Sequence, residues 1–246
     1  MIEGAFGAKV PEALLFLVAL PTTVVQFRFE IQSFPAVLRV LVGLTVFAVP
    51  LVVAHTGSAA EYSRAELGLY ALGAFPSDGG LFAQGGTPLN SKVANGAGAG
   101  IKAGVFLKPL GNIVGLQLES FANGSAITFS SGTNPGSSAR TNLWVFNSMF
   151  NLIFRYPGDD FLPYIGVGGG LSNGMLTNPN IPGRTDTDFE GCWTFGYQFL
   201  GGVEANLTTR LYLFSEYKYL AANFHWTQLA LDYRSQYVLF GIGLRF

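Results

Sequence analysis

The chain closes on YVLFGIGLRF, Tyr237 to Phe246, in which two sets of side chains alternate. Val238, Phe240, Ile242, Leu244 and Phe246 share one parity, while Tyr237, Gly241, Gly243 and Arg245 share the other. A period of two is the mark of a β-strand, because successive side chains leave the pleat on opposite faces. Termini of water-soluble domains usually fray into solvent and are polar. This one is apolar to its last residue, an aromatic, so the strand reads as built for an apolar surrounding.

The same period recurs upstream, and eight segments of about ten residues carry it. Ala65, Leu67, Leu69 and Ala71 oppose Arg64, Glu66, Gly68 and Tyr70 in the first; Ala99, Ile101, Ala103, Val105 and Leu107 oppose Gly98, Gly100, Lys102 and Gly104 in the second. The third sets Val114, Leu116 and Leu118 against Gly115, Gln117 and Glu119. The fourth shows the strongest contrast: Trp144, Phe146, Phe150, Leu152, Phe154 and Tyr156 face away from Asn147, Asn151 and Arg155. The fifth places Ile165, Val167 and Leu171 against Tyr164, Gly166, Gly168 and Gly170. In the sixth Trp193, Phe195, Tyr197, Phe199 and Val203 oppose Thr194, Gln198, Gly202 and Glu204. The seventh sets Leu211, Leu213, Tyr217 and Tyr219 against Glu216 and Lys218, and the opening quotation is the eighth.

Short links, KPLGN (108–112), YPGDD (156–160) and NLTTR (206–210), join segments two to three, four to five and six to seven. The other links, 76–95, 122–140, 172–190 and 221–232, are rich in Gly, Ser, Asn and Thr and read as four long loops on the opposite side. Prolines after residue 60 fall in links or at strand starts, where a missing N–H does no harm to a ladder. The pattern predicts an all-β fold, eight antiparallel strands connected up and down.

Composition decides what surrounds those strands. Only 12% of residues are charged, 14% are aromatic, and there are 32 glycines, a profile for a membrane-embedded chain or an unusually hydrophobic one. A net charge of −1 without any basic run supplies no field for nucleic acid. One cysteine, Cys192, and two histidines provide neither a disulfide nor a zinc-like spacing, so no metal and no cofactor are expected.

A soluble barrel would turn the apolar parity inward around a ligand. That leaves the glycines sharing a face with the charges unexplained. Turned the other way, Gly98, Gly100, Gly166, Gly168, Gly170 and Gly241 make room for charged chains crossing a narrow lumen, and the outer face becomes a belt of Leu, Val, Ile, Phe, Trp and Tyr suited only to lipid. Aromatics near the segment ends, Trp144, Tyr156, Trp193, Tyr217, Tyr219 and Phe246, suit the two membrane interfaces. Eight strands enclose a bore that side chains can fill, so a transmembrane β-barrel without a wide pore is expected.

The interior of such a barrel would hold Arg64, Lys102, Arg155, Lys218 and Arg245 with Glu66, Glu119, Glu204 and Glu216. Five bases and four acids nearly balance, as an internal salt-bridge network requires.

Residues 61–246 form the expected barrel domain. Ahead of it, Arg39, the apolar run Val40–Ala54 and the small residues Gly57, Ser58, Ala59 and Ala60 make the three-part pattern of a secretory signal peptide over 37–60, with cleavage after Ala60 or one residue earlier. An anchor helix is the alternative, but the run is short for a span and Pro50 interrupts it. Residues 1–36 contain a second apolar stretch, LLFLVALPTTVVQF, which no export signal needs. Either the signal is extended, or translation starts at Val37 or Leu38.

Three stretches resemble one family, the small eight-stranded outer-membrane β-barrels of the OmpA/OmpX type in Gram-negative bacteria. FLPYIGVGGG (161–170) is similar to the family's fifth strand, and GGVEANLTTRLYLFSEYKY (201–219) to its sixth and seventh. The terminal VLFGIGLRF is similar to the aromatic-ended signal read by the barrel assembly machinery, carried here by Val238, Phe240, Ile242, Leu244 and Phe246. The resemblance implies a monomer in the bacterial outer membrane, in contact with outer-membrane lipid and lipopolysaccharide. No peptidoglycan-binding domain is expected after Phe246.

Some barrels of this size are enzymes acting on lipid A. The one histidine after the signal, His225 in NFHWTQ, has Asp232 and Ser235 across the last loop, and general-base chemistry would need one of them within hydrogen-bond reach. No motif surrounds it, and an interfacial histidine beside Trp226 is the plainer reading. Asp186, Asp188 and Glu190 lack the glycine and length of a calcium loop and read as a solvated acidic edge. The expected role is structural or interactive at the cell surface, without catalytic residues; a narrow channel and a lipid A-modifying enzyme using His225 are the alternatives.

Overall fold

The computed structural model describes residues 15–20, 23–28, 63–77, 81–83, 88–130, 138–177, 189–226 and 229–246. It divides into two compact units, Met1–Ala48 and Val49–Phe246. In the first, β1 (Leu15–Leu20) and β2 (Thr23–Arg28) pair as an antiparallel hairpin. Most of the apolar stretch that the sequence left unexplained therefore lies in these two strands. The proposed signal segment 37–60 and its cleavage site at Ala60 lie outside the described residues.

The second unit is a closed antiparallel barrel. Among its described residues, eight long strands form the wall: β3 (Ser63–Pro76), β6 (Gly96–Leu107), β7 (Val114–Ser130), β8 (Ser138–Arg155), β9 (Phe161–Thr177), β10 (Phe189–Asn206), β11 (Leu211–Trp226) and β12 (Leu229–Arg245). Each pairs with its sequence neighbour, and β12 pairs with β3, from Ser235 opposite Pro76 to Arg245 opposite Glu66. Closure removes every edge along the spanning region, the condition for crossing hydrocarbon with strands. Two short strands, β4 (Leu81–Ala83) and β5 (Pro88–Val93), belong to the first outer link.

The inner ends are tight. At the first turn a 3₁₀ turn, Lys108–Leu110, stops at Gly111 and Asn112, both with positive φ (65° and 58°). The other inner links, 156–160 and 207–210, are shorter still.

The outer ends correct the reading of four long loops. β7 runs to Ser130 and β8 starts at Ser138; β9 runs to Thr177 and β10 starts at Phe189; β11 and β12 are separated by residues 227 and 228 alone. Strands of 16 to 18 residues here exceed the 9 to 11 or so that a tilted strand needs to span a bilayer. The barrel wall therefore continues beyond the lipid band.

The two faces divide by parity in the spanning part. Phe150, Phe154, Ile165, Phe195, Phe199, Phe240 and Ile242 are exposed on the outside, whereas Glu66, Lys102, Glu119, Asn151, Arg155 and Lys218 are buried inside. Toward the outer end the pattern inverts. There Ile127, Leu143, Leu176, Leu220, Phe224, Trp226, Leu231 and Tyr233 are buried inside as an apolar cluster, while Asn142, Asn223, His225 and Arg234 are exposed. Below the outer interface the wall is built for lipid; above it, the same wall is built for water, with its apolar residues turned in.

Candidate functional site

Among the described residues the lumen is where charged chemistry is concentrated, and it is arranged in layers. At the inner end four residues from four strands form a ring. Both terminal nitrogens of Arg155 donate to the two oxygens of Glu66, at 2.8 Å each, and Arg245 Nε donates to Glu66 Oε1 at 2.9 Å. Arg245 Nη2 also donates to Glu204, and its Nη1 to Asn206 Oδ1. Arg155 Nη1 lies 3.3 Å from the same Glu204 oxygen. Each guanidinium is backed by a ring: Arg155 stands 3.3 Å from the centre of Phe106 and Arg245 4.2 Å from that of Tyr212. Cation–π contacts of this kind gain strength where water is excluded.

One layer outward, Lys102 Nζ lies 3.2 Å from Glu216 Oε2, which also accepts a 2.6 Å hydrogen bond from the Tyr164 hydroxyl. The ammonium sits 3.6 Å above the Phe214 ring. Next comes Lys218, whose Nζ donates to Glu119 Oε1 at 2.5 Å and lies 3.4 Å from Glu216 Oε1. Glu119 is fully engaged: Tyr70 donates to Oε1 at 2.5 Å, and Asn151 and Gln198 donate to Oε2 at 3.1 and 3.0 Å.

Above the ions the polar groups become neutral. Ser172 donates to Asn147 Oδ1 at 2.7 Å, and Tyr237 donates to Asn123 Oδ1 at 3.2 Å while sharing a 3.1 Å contact with the Tyr233 hydroxyl. The apolar cluster then occupies the outer part.

Of the nine charged residues expected inside, the structure brings eight together. Arg64 is only half buried and makes no ion pair with the others. Its departure corrects the count to four acids and four bases, so the buried set is electrically neutral. Sequence reasoning put Tyr70, Tyr164, Asn151 and Gln198 on the inward parity but gave them no part in the network, and it missed Phe106, Phe214 and Tyr212. Tyr70, Tyr164, Asn151 and Gln198 supply hydrogen bonds, and Phe106, Phe214 and Tyr212 supply rings. Their signal was parity: each shares the inward face with a charge or a glycine, where a lipid-facing role is excluded.

A closed eight-stranded wall, greasy outside and ionic inside, fits one family model. The outer membrane protein beta-barrel domain matches residues 43–246. The chain belongs to this family.

Among solved structures, this outer-membrane barrel is similar to OprG from Pseudomonas aeruginosa, with 12% identity over 75% of this chain and 96% of that one and a TM-score of 0.52. It is also similar to Neisserial surface protein A, at 16% identity, 75% and 97% coverage and a TM-score of 0.48. A third is the attachment invasion locus protein Ail of Yersinia pestis, at 13%, 75% and 99%, with 0.44. At these identities the likeness concerns the fold. No protein of curated function matches the sequence. Membership of the family places the protein in the bacterial outer membrane.

The last strand of this outer-membrane barrel turns Val238, Phe240, Ile242 and Leu244 outward, and Phe246 is 63% exposed, its N–H donating to the Ala65 carbonyl at 2.9 Å. His225 is exposed on the outer wall, whereas Ser235 is fully buried on the inner side. Among the described residues neither Ser235 nor Asp232 hydrogen-bonds to His225. Its backbone N–H donates instead to Cys192 Sγ at 3.3 Å. Of the acidic trio, Asp186 and Asp188 lie outside the described residues, and Glu190 sits in β10 opposite Leu176.

Proposed function

We propose that this outer-membrane barrel is a non-conducting scaffold whose role is structural or interactive at the cell surface, performed by the part of the wall that stands outside the bilayer. One observation carries the reading: eight neutralising charges and their aromatic backing cross the bore, and an apolar cluster lies above them. An ion entering this lumen would have to displace charge-assisted hydrogen bonds in a region of low polarity, where each broken pair leaves a buried charge uncompensated. We assign the protein no reaction and no cofactor. Its partners are outer-membrane lipid and lipopolysaccharide along the apolar belt, and the assembly machinery that reads the Val238–Phe246 signal; it works as a monomer.

The test is conductance of the purified, folded protein in planar lipid bilayers. No discrete current steps are expected at high salt. Reproducible steps would replace this reading with that of a narrow channel, and a change in the mass spectrum of lipid A on deleting the gene would replace it with that of an enzyme.

A further inference from the structure

Among the described residues, neighbouring long strands stay paired to within a residue of where one of them ends, or pass their ladder to β4 or β5. The seam between β10 and β11 is the exception. Its pairing stops at Gly196 opposite Ala222, yet β10 runs on to Phe189 and β11 to Trp226. Leu207 N–H donates to the Leu211 carbonyl at the inner turn. Ladder bonds alternate along an antiparallel pair, so odd-numbered residues carry them throughout this seam. Gly191 and Trp193 therefore turn their main-chain groups toward a strand that no longer pairs with them. A side chain spans the gap instead, since His225 N–H donates to Cys192 Sγ at 3.3 Å.

Exposure marks the same opening. Along one register row Asn147 and Ser172 are buried, but Thr194 is only half buried. Along the next inward-facing row Val145 and Gly174 are buried, but Cys192 is only half buried. Behind the seam the wall is shut. Phe224 and Trp226 are buried there, and Trp226 Nε1 donates to the Gly174 carbonyl of β9 at 3.1 Å. The opening is thus a trough on the outer surface and does not lead into the lumen.

The trough lies where the wall changes from lipid-facing to water-facing. Toward the belt Tyr197, Phe199, Tyr217 and Val238 are exposed; at the trough Asn223, His225 and Arg234 are exposed. Three neighbouring strands bring different chemistry to it. On β10 the Trp193 ring is 50% exposed, beside the exposed Gly191 and the half-buried Thr194. On β11 Asn223 presents an amide. On β12 Arg234 faces Ala221 across the ladder, a residue too small to cover it. Among the described residues the Arg234 guanidinium makes no ion pair, and Asp232, the next outward-facing residue of β12, is not bonded to it.

Each element suits a different part of one molecule. An unpaired guanidinium takes a phosphate through charge-assisted hydrogen bonds. An exposed indole offers a flat apolar surface to the C–H face of a sugar ring, while open main-chain groups and an amide take its hydroxyls. An amphiphile in the outer leaflet carries its headgroup at this height and lays its chains along the belt below. We infer that the β10–β11 trough binds the phosphorylated sugar headgroup of an outer-leaflet glycolipid, with the phosphate on Arg234, the sugar against Trp193 and its hydroxyls on Asn223 and the open edge of β10. Resting on lipopolysaccharide as a partner of the belt, the site fixes where on the circumference that partner is held.

The full chain, folded in micelles of an amine-oxide detergent that has neither sugar nor phosphate, is titrated with diphosphoryl lipid A and separately with phosphatidylglycerol, and bound lipid is counted by native mass spectrometry. Lipid A should bind about tenfold more tightly than phosphatidylglycerol, which offers the charge without the sugar. Arg234→Gln should weaken lipid A about tenfold and Trp193→Leu about fivefold, whereas Phe150→Leu on another strand should change nothing. Hydrogen exchange of the unmodified protein reads the edge directly: lipid A should slow the Gly191 and Trp193 amides about tenfold, and unchanged exchange there overturns the site whether or not the variants fold. Lipid A bound equally well by both variants overturns it too, and leaves lipopolysaccharide held elsewhere on the belt. No preference for lipid A over phosphatidylglycerol in the unmodified protein removes the site and the partner together.

Discussion

Arg155 and Glu66, 89 residues apart along the chain, meet across the lumen through two parallel hydrogen bonds of 2.8 Å. The planar guanidinium matches the planar carboxylate, a geometry that lysine cannot reproduce. Glu66 also accepts from Arg245 at 2.9 Å, so this one carboxylate ties together two strands on different sides of the bore.

Glu66→Gln keeps the shape but leaves both arginines facing a neutral amide. The expected cost is about 3–5 kcal/mol of folding stability, the range for breaking a buried ion pair from one side. Urea titration of the heat-sensitive gel shift of the folded barrel measures it. An unchanged midpoint would show that the ring at the inner end does not hold the barrel.

Lys218 and Glu119 lie 2.5 Å apart and are buried completely. Lys218→Met should destabilise strongly because Glu119 then keeps its charge without its main partner. Adding Glu119→Gln should recover part of the loss, giving a coupling of about 0.5–3 kcal/mol in a double-mutant cycle. Additive effects would contradict the pairing.

Phe240 is 66% exposed in the middle of the apolar belt. Phe240→Arg should cost about 2–4 kcal/mol in lipid, the penalty for a cation on the lipid face near mid-depth. A nitroxide at Phe150 should collide freely with dissolved oxygen and poorly with a water-soluble relaxer. A reversed preference at Phe150 would turn the barrel inside out.

Gly241 lies beneath the Phe214 ring and beside the Leu69 carbonyl, and a Cβ there would strike both. Gly241→Ala should therefore displace the ring that backs Lys102 and cost about 1–3 kcal/mol, as overpacking does. The same denaturation assay reads it, and a neutral result would mean that the wall moves to make room.

Much of the spanning barrel was legible because its contrast is local. In Trp144–Tyr156 the outward residues are greasy except Ser148, and the polar residues Asn147, Asn151 and Arg155 all fall on the inward parity beside Val145, Met149 and Ile153, so the contrast shows within one strand. The eight charges were legible for the same reason. Arg64 was grouped with them because parity alone cannot tell how close to the inner rim a residue sits.

The outer wall was misread for a physical reason as well. Apolar residues mark the outside of a barrel in lipid but the inside of one in water. In β11 Leu213 and Tyr217 face out, while Leu220, Phe224 and Trp226 face in. The inversion weakens the period where it occurs, so the continuing strands resembled loops rich in Asn, Ser and Gly.

By itself, then, the sequence determined that the chain crosses a membrane in strands and which parity meets lipid, because these follow from the pleat and from the solvent on each side. Only the tertiary structure decided which acid meets which base and where the wall inverts. Those depend on closing a cylinder from strands as far apart as Glu66 and Arg245, and closure fixes every height and register at once.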